Sequence, residues 1–186
     1  AREKYVEVDA IGARIDMLTR PGVFSHGRVD TGGLALYESV ELNPGESMLE
    51  LGSGAGLVSL LTAARCRETN GEDVNRIHMV DSSVRAIDCA KVNIEKLGLN
   101  KVTFELADKY KSDEKFDVFA GNPPYYANHR IAEYFIITAA KNLKQGGRLY
   151  LVSKHAEEME EIAEHYGFKV SSTKRRGYDI TIGILD

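Results

Sequence analysis

The chain has 186 residues, 43% of them apolar and 28% charged, a balance that excludes a disordered chain and suits one globular domain with a sizeable core. The net charge of −4 excludes a strongly basic nucleic-acid binder. Five glutamates and no Lys or Arg fall within residues 155–165, however, so the rest of the chain is near neutral and leaves room for local basic patches.

In chain order, Tyr5–Val8 and Arg14–Leu18 alternate apolar and polar residues around a turn at Asp9–Gly12, which predicts a small hairpin stopped by Arg20-Pro21-Gly22. Thr31 is placed to cap a short helix running to about Leu42, before the Asn43-Pro44-Gly45 turn. Strands and helices then alternate. Strands are predicted at Ser47–Leu51, Arg76–Val80, Lys101–Leu106, Phe116–Ala120 and Arg148–Ser153. Helices are predicted at about Gly56–Arg67, from a Ser83 cap to Leu97, at Arg130–Leu143 and at Ala156–Tyr166. The chain closes on two strand-like runs, Phe168–Thr173 and Tyr178–Leu185, around an Arg175-Arg176-Gly177 turn. Alternation of this kind predicts a parallel sheet covered on both faces, with the closing hairpin adding an antiparallel part at one side. Ligands of such sheets bind at the carboxyl ends of the strands, near the point where strand order reverses.

No apolar run approaches the ~20 residues of a membrane helix. Ala1-Arg2-Glu3-Lys4 lacks the apolar core of a secretory signal, so a cytoplasmic protein is expected. Cys66 and Cys89 form no disulfide framework and read as small buried side chains. The five histidines are scattered and no metal site is expected.

Glu50-Leu51-Gly52-Ser53-Gly54-Ala55-Gly56 follows the first buried strand and opens a helix. Its glycines allow a tight turn and close approach of a ligand to the backbone. A dinucleotide fingerprint would want glycine where Leu57 stands, which disfavours a nicotinamide oxidoreductase, and a phosphate loop would want a Gly-Lys-Ser/Thr ending. A carboxylate at Glu50 is awkward beside a pyrophosphate and suits a cofactor that carries an ammonium group. Asp81 ends the second strand of the alternating part, 27 residues after Gly54, and Asp108 follows the third. The polar stretch 67–76 reads as a loop insertion that lengthens the interval beyond the ~20 of related nucleotide folds.

After the fourth of these strands comes Asn122-Pro123-Pro124-Tyr125. Consecutive prolines make a rigid turn with free carbonyls. The Asn122 side-chain oxygen and the Pro123 carbonyl could each accept one hydrogen of a planar NH2 group, and Tyr125 offers an aromatic face.

The loop and the two acids together resemble class I S-adenosylmethionine-dependent methyltransferases. The resemblance implies a Rossmann-like, doubly wound, mostly parallel seven-stranded α/β sheet with a C-terminal antiparallel hairpin and a small N-terminal β-hairpin. It implies S-adenosylmethionine as cofactor, with Glu50, Gly52, Ser53, Gly54, Gly56 and Asn122 around it. Asp81 would meet the ribose hydroxyls and Asp108 the adenine amino group, with Ser82 and Ala107 flanking the adenine ring. In that family the Asn-Pro-Pro-Tyr turn marks transfer to conjugated amino groups, which makes Asn122, Pro123 and Tyr125 the catalytic candidates. Arg20–Ser25 followed by Val29-Asp30-Thr31-Gly32 resembles the segment before the catalytic domain in ribosomal RNA guanine-N2 methyltransferases of the small-subunit (RsmC) type. That likeness puts Phe24, Asp30, Thr31 and Gly32 near the methionine end of the cofactor. The residues after the two prolines, Tyr125-Tyr126-Ala127-Asn128-His129-Arg130, depart from the branch at the substrate lip.

The resemblance implies one methyltransferase domain over 1–186, with 1–45 covering the cofactor site and 46–186 as catalytic core. The expected substrate is a base amino group in RNA, foremost guanine N2 of ribosomal RNA, turned out of its stack. Transfer to adenine N6 or to a protein glutamine is the alternative within the same chemistry. A non-catalytic cofactor-binding or RNA-docking module is the alternative of another class. Tyr125, Tyr126, His129, Arg130 and Arg28 are the substrate-side candidates, with Lys109, Lys111 and the tip Lys174-Arg175-Arg176 as further phosphate contacts; each cation alone is more often a solvated surface charge. Partners expected are ribosomal RNA or tRNA and no membrane, with a partner protein or a homo-oligomer left open. Met159, Ile162, Ala163 and Tyr166 read as the core stripe of the acidic helix, its glutamates as a solvated face remote from RNA.

Overall fold

The computed structural model describes residues 3–21, 30–124 and 129–186. Phe24, Arg28, Tyr125 and Tyr126 therefore lie outside the described residues. Two strands, β1 (Lys4–Ala10) and β2 (Ala13–Thr19), form the expected N-terminal hairpin. Helix α1 (Thr31–Ser39) follows. The alternating part runs β3 (Ser47–Leu51), α2 (Leu57–Asn70), β4 (Arg76–Asp81), α3 (Val84–Leu97), β5 (Val102–Leu106), β6 (Phe116–Gly121), α4 (His129–Asn142), β7 (Leu143–Ser153) and α5 (Ala156–His165). Strands β8 (Phe168–Arg175) and β9 (Tyr178–Leu185) close the chain.

The main sheet has seven strands in the order β5-β4-β3-β6-β7-β9-β8. Strands β5 to β7 are parallel, and β9 runs antiparallel between β7 and β8, so the last strand sits inside the sheet and the preceding one takes the edge. All five residues of β3 are buried, as a strand covered on both faces requires. One core, with Met48, Leu60, Leu61 and Ala90, lies under α1, α2, α3 and the hairpin; the other, with Leu49, Phe119, Ile136 and Ala163, lies under α4 and α5. The chain winds outward from β3 to β5, then returns to β6 on the opposite flank of β3. Strands β3 and β6 are neighbours, with Leu51 opposite Gly121, and this switch point opens the cleft.

Several element ends differ from expectation. Asp30, not Thr31, is the residue before α1; Thr31 is its first helical residue, and Val40 turns extended, which stops α1 at Ser39. Helix α2 runs to Asn70 and ends on Gly71 with φ of 68°, so part of the expected loop insertion is one more helical turn. Ser83 caps α3 as expected, accepting from the Ala86 amide at 3.3 Å. Strand β7 begins at Leu143 because Leu143 already pairs with Phe116, ahead of a register shift. Cys66 and Cys89 are both buried. No helix among the described residues is long and apolar enough to cross a membrane.

One buried side chain ties the N-terminal hairpin to the sheet. Asn93 of α3 is fully buried; its Oδ1 accepts from the Leu18 amide at 2.7 Å, and its Nδ2 donates to the carbonyls of Leu18 and Ala55, both at 3.2 Å. It acts as a one-residue neighbouring strand for β2 and clasps the glycine loop at the same time. Asn93→Ala leaves these backbone groups buried without partners. It is expected to cost about 2–3 kcal/mol in urea denaturation.

Candidate active site

The cleft at the switch point is a cavity of about 540 Å3, within the range of small-ligand sites. Four stretches of chain reach it from the carboxyl ends of β3, β4, β5 and β6. The hairpin supplies a further wall through Val6, Val8, Met17 and Thr19, and α4 another through Ile131, Tyr134 and Phe135. Those hairpin and α4 residues were not legible as site residues, because their sequence signal is ordinary core periodicity.

The glycine loop takes three left-handed residues, Gly52, Gly54 and Gly56, with φ of 66°, 56° and 98°. Only glycine adopts this succession without strain. Gly54 has open space where a side chain would stand, so the loop presents bare backbone. At Gly52 a Cβ would lie 3.2 Å from the Phe135 ring and 3.9 Å from the Asn122 carbonyl oxygen; at Gly121 it would lie 2.6 Å from Phe135. Phe135 thus packs onto both strand ends, and the glycine loop and the proline turn lie side by side. The Ser53 hydroxyl is buried with no hydrogen-bond partner, an orphan on the cavity wall.

Asp81 braces this loop. Its Oδ2 accepts from the Gly54 amide at 2.9 Å and its Oδ1 from the Ser83 amide at 2.8 Å. A carboxylate has about four acceptor positions, so two remain for ligand hydroxyls. Ser82, Ala107 and Asp108 line the same end, and the Ala107 amide is held by the Asp81 carbonyl at 3.0 Å. The Tyr134 hydroxyl accepts from the Tyr110 amide at 2.7 Å, tying the segment after β5 to α4.

Glu50 points to the α2 face of the sheet and is 2% exposed. Its Oε1 accepts from the Ser59 hydroxyl at 2.6 Å and the Ser59 amide at 3.2 Å, which also satisfies an end group of α2. Burial pushes its carboxyl up to about 8, against the Ser59 hydrogen bonds, and the charges of Asp81 and Asp30 add to the rise. Asp30 is pushed up mainly by burial, while the Gly33 and Gly32 amides and Asn122 hold it down. Asp30, Glu50, Asp81 and Asp108 all line the cavity, and no Lys, Arg or His does among the described residues.

Asn122, Pro123 and Pro124 line the cavity. Thr31 and Gly32 stand beside it rather than on it: Thr31 Oγ1 is 3.4 Å from the Tyr178 hydroxyl, and Gly32 packs on the Tyr178 ring, while Asp30 and Gly33 face the cavity. Gly56 is likewise off the wall, packed against Leu60 and Met79. His129 and Arg130 are exposed at the start of α4 outside the cavity lining, and His129 Nδ1 is 3.2 Å from Glu158 of α5. The tip is also engaged: Lys174 pairs with Asp179 at 2.7 Å, and Arg175 and Arg176 pair with Glu38 at 3.3 and 2.5 Å. Lys109 and Lys111 are exposed. Among the described residues no group of His, Cys, Asp or Glu side chains is arranged to hold a metal ion.

A doubly wound seven-stranded sheet with an inserted antiparallel end strand and a glycine-loop cavity at its switch point defines the class as the Rossmann-like methyltransferase fold. The chain belongs to the methyltransferase small domain family, whose model matches residues 14–181. Among its relatives, ribosomal RNA small subunit methyltransferase C of Ectopseudomonas mendocina (strain ymp) is 24% identical over 176 residues, covering 87% of this chain and 51% of the relative. The uncharacterized protein YbxB of Bacillus subtilis (strain 168) is 28% identical over 167 residues, covering 86% of this chain and 80% of that one. The fold is similar to that of a T. thermophilus 16S rRNA N2 methyltransferase (RsmC) in complex with AdoMet and guanosine, with TM-score 0.83, 23% identity, and coverage of 100% of this chain and 51% of that one. A methyltransferase from Pyrococcus furiosus gives TM-score 0.73 at 20% identity, covering 91% and 88%. The chain thus spans about half the length of the RsmC relatives it matches.

The Glu50 carboxyl carries a direct consequence for stability. Its folded value of about 8 lies above the ordinary 4.5, so folding takes up a proton between these limits. The stability it contributes is fully present below about pH 4.5 and is lost as the pH rises to about 8. Glu50→Gln is therefore expected to raise the Tm of the ligand-free protein more at about pH 9 than at about pH 5, as read by thermal melts across that range.

Proposed function

We propose that the protein is an S-adenosylmethionine-dependent N-methyltransferase acting on an exocyclic amino group of an RNA base, with guanine N2 of ribosomal RNA as the preferred acceptor. The observation that carries the reading is a cavity lined by four acidic side chains and, among the described residues, by no cation, set against an acceptor-rich Asn-Pro-Pro turn. Such a cavity suits a ligand that is cationic and rich in hydroxyl donors, and it repels a pyrophosphate. The unpartnered Ser53 hydroxyl and the bare backbone at Gly54 are what a bound cofactor would complete.

In this reading Glu50 and Asp30 face the ammonium end, Asp81 accepts from the ribose hydroxyls, and Asp108, two residues beyond the end of β5, accepts from the adenine amino group. When bound, the cofactor supplies a methyl group on a sulfonium whose leaving group is neutral. The Asn122 side-chain carbonyl and the Pro123 carbonyl accept the two hydrogens of the acceptor amine and hold its lone pair toward the cavity. Alignment of this kind is worth ~7–11 kcal/mol, and the same carbonyls stabilise the positive charge that grows on nitrogen. Tyr125 and Tyr126 would flank the flipped base, with His129, Arg130 and Arg28 toward its phosphates. Residues 1–45 serve as the cover of the cofactor site and 46–186 as the catalytic core of a single domain; the hairpin residues on the cavity wall support that division. The likeness to ribosomal RNA methyltransferases supports ribosomal RNA over protein as the substrate class.

Calorimetry with S-adenosylmethionine is expected to give one saturable site, weakened at least about tenfold by Asp81→Ala, which removes both the hydroxyl acceptor and the brace on Gly54. Asn122→Ala is expected to keep cofactor affinity and to lose transfer of labelled methyl groups to ribosomal RNA by about 100-fold. Label appearing in protein glutamine instead of RNA would move the substrate class, and absence of cofactor binding would remove the reading altogether.

A further inference from the structure

Asp30 and Asn122 are 92 residues apart in the chain and meet at the cavity, where Asn122 Nδ2 lies 3.4 Å from Asp30 Oδ2. Gly33 makes room for this meeting, and Gly32 lies beside it. A Cβ at Gly33 would fall 2.8 Å from Asp30 Oδ2; at Gly32 it would fall 3.5 Å from Asn122 Nδ2 and 3.3 Å from the Tyr178 ring. Neither glycine has positive φ, so space rather than backbone freedom is what glycine provides here. Asp30 stands immediately before the first turn of α1, while Asn122 follows β6 in the rigid proline turn. Each partner is thus anchored on its own element.

A carboxylate accepts hydrogen bonds and has none to donate, whereas an amide has one face of each kind. The Asn122 atom that faces Asp30 must therefore be the NH2 group, and Oδ1 is turned away from Asp30. With the amide reversed, the Asn122 oxygen would stand against the Asp30 carboxylate, acceptor to acceptor. We infer that Asp30 is a positioning residue whose carboxylate holds the Asn122 amide in the one orientation that presents Oδ1, not NH2, to the amine being methylated. This rests on the methyl-transfer reading of the site, and it adds a polarity requirement between two residues that the Asn-Pro-Pro-Tyr turn alone does not contain.

The test is an exchange of the two groups, with transfer measured in single turnover at saturating cofactor, each variant's cofactor affinity being measured first. Asp30→Asn keeps the shape but lets the Asn122 amide reverse, and is expected to lower the rate about tenfold with little change in KM for the RNA. Asn122→Asp alone sets two carboxylates against each other and is expected to lose about 100-fold. The double variant Asp30→Asn with Asn122→Asp restores one NH2 facing one carboxylate and is expected to recover at least about tenfold over Asn122→Asp. A role for Asp30 confined to supporting α1 predicts no recovery, and that result would overturn the inference.

A second readout needs no transfer. In ligand-free protein the Asn122 side-chain amide 15N–1H signals are expected to shift with the titration of Asp30 and to stop doing so in Asp30→Asn. Among the described residues Glu50 of β3 and Asp81 of β4 share the cavity wall with Asp30, and Tyr178 of β9 packs on Gly32, so the titration is repeated in Glu50→Gln, Asp81→Asn and Tyr178→Phe. Amide signals that ignore Asp30 in all of these backgrounds would overturn the pairing. Amide signals that follow Asp30 in a protein that methylates neither RNA nor protein would uphold the pairing and overturn the methyl-transfer reading.

Discussion

Acidic groups without a cationic partner govern this molecule. Asp30, Glu50, Asp81 and Asp108 converge on one cavity whose described lining contains no cation. Glu50 is buried, and burial keeps it protonated up to about pH 8, while Asp30 and Asp81 are half-buried and Asp108 is exposed. Ser59 at the start of α2 serves Glu50, the Gly54 and Ser83 amides serve Asp81, and the Asn122 amide faces Asp30. In the proposed reading a cationic ligand rich in hydroxyl donors completes the partners of these groups.

The fold keeps these groups apart and yet aimed at one place through a few long-range ties. Phe135 settles onto Gly52 and Gly121, so the glycine loop and the proline turn cannot separate without opening a void in the core under α4. Asn93 joins the N-terminal hairpin to Ala55 in the loop, and Tyr134 joins α4 to the segment that carries Asp108. Each tie links two stretches that contribute to different ends of the cavity. The result is a site whose geometry is set before ligand arrives, the condition under which alignment lowers a barrier.

The rim is less committed to nucleic acid than a count of cations suggests. Arg175 and Arg176 close on Glu38, whose side chain is 5% exposed, and so fasten the β8–β9 turn to α1. A phosphate reaching that tip would compete with a nearly buried carboxylate. His129, a candidate phosphate contact, stands 3.2 Å from Glu158 of α5.

Much of this was readable in one dimension because its signals are local. The alternation from β3 to α5, the Ser83 cap, the acids at the ends of β4 and β5 and the two turn motifs each declare themselves within a few residues of sequence. Topology then brought loop and turn together as the strand pattern demands. What the tertiary structure alone decided are contacts between segments far apart in the chain: Asp30 meeting Asn122, the hairpin residues Val6, Val8 and Met17 forming a wall, Phe135 resting on two glycines, and β9 slipping inside β8. A hydrophobic residue in an alternating strand has the same local signature whether it faces a core or a cavity, and an acid before a helix looks like a cap whether or not an amide waits beside it. Only packing in three dimensions, where side-chain volume and unpaired polar groups must be reconciled at once, separates the two.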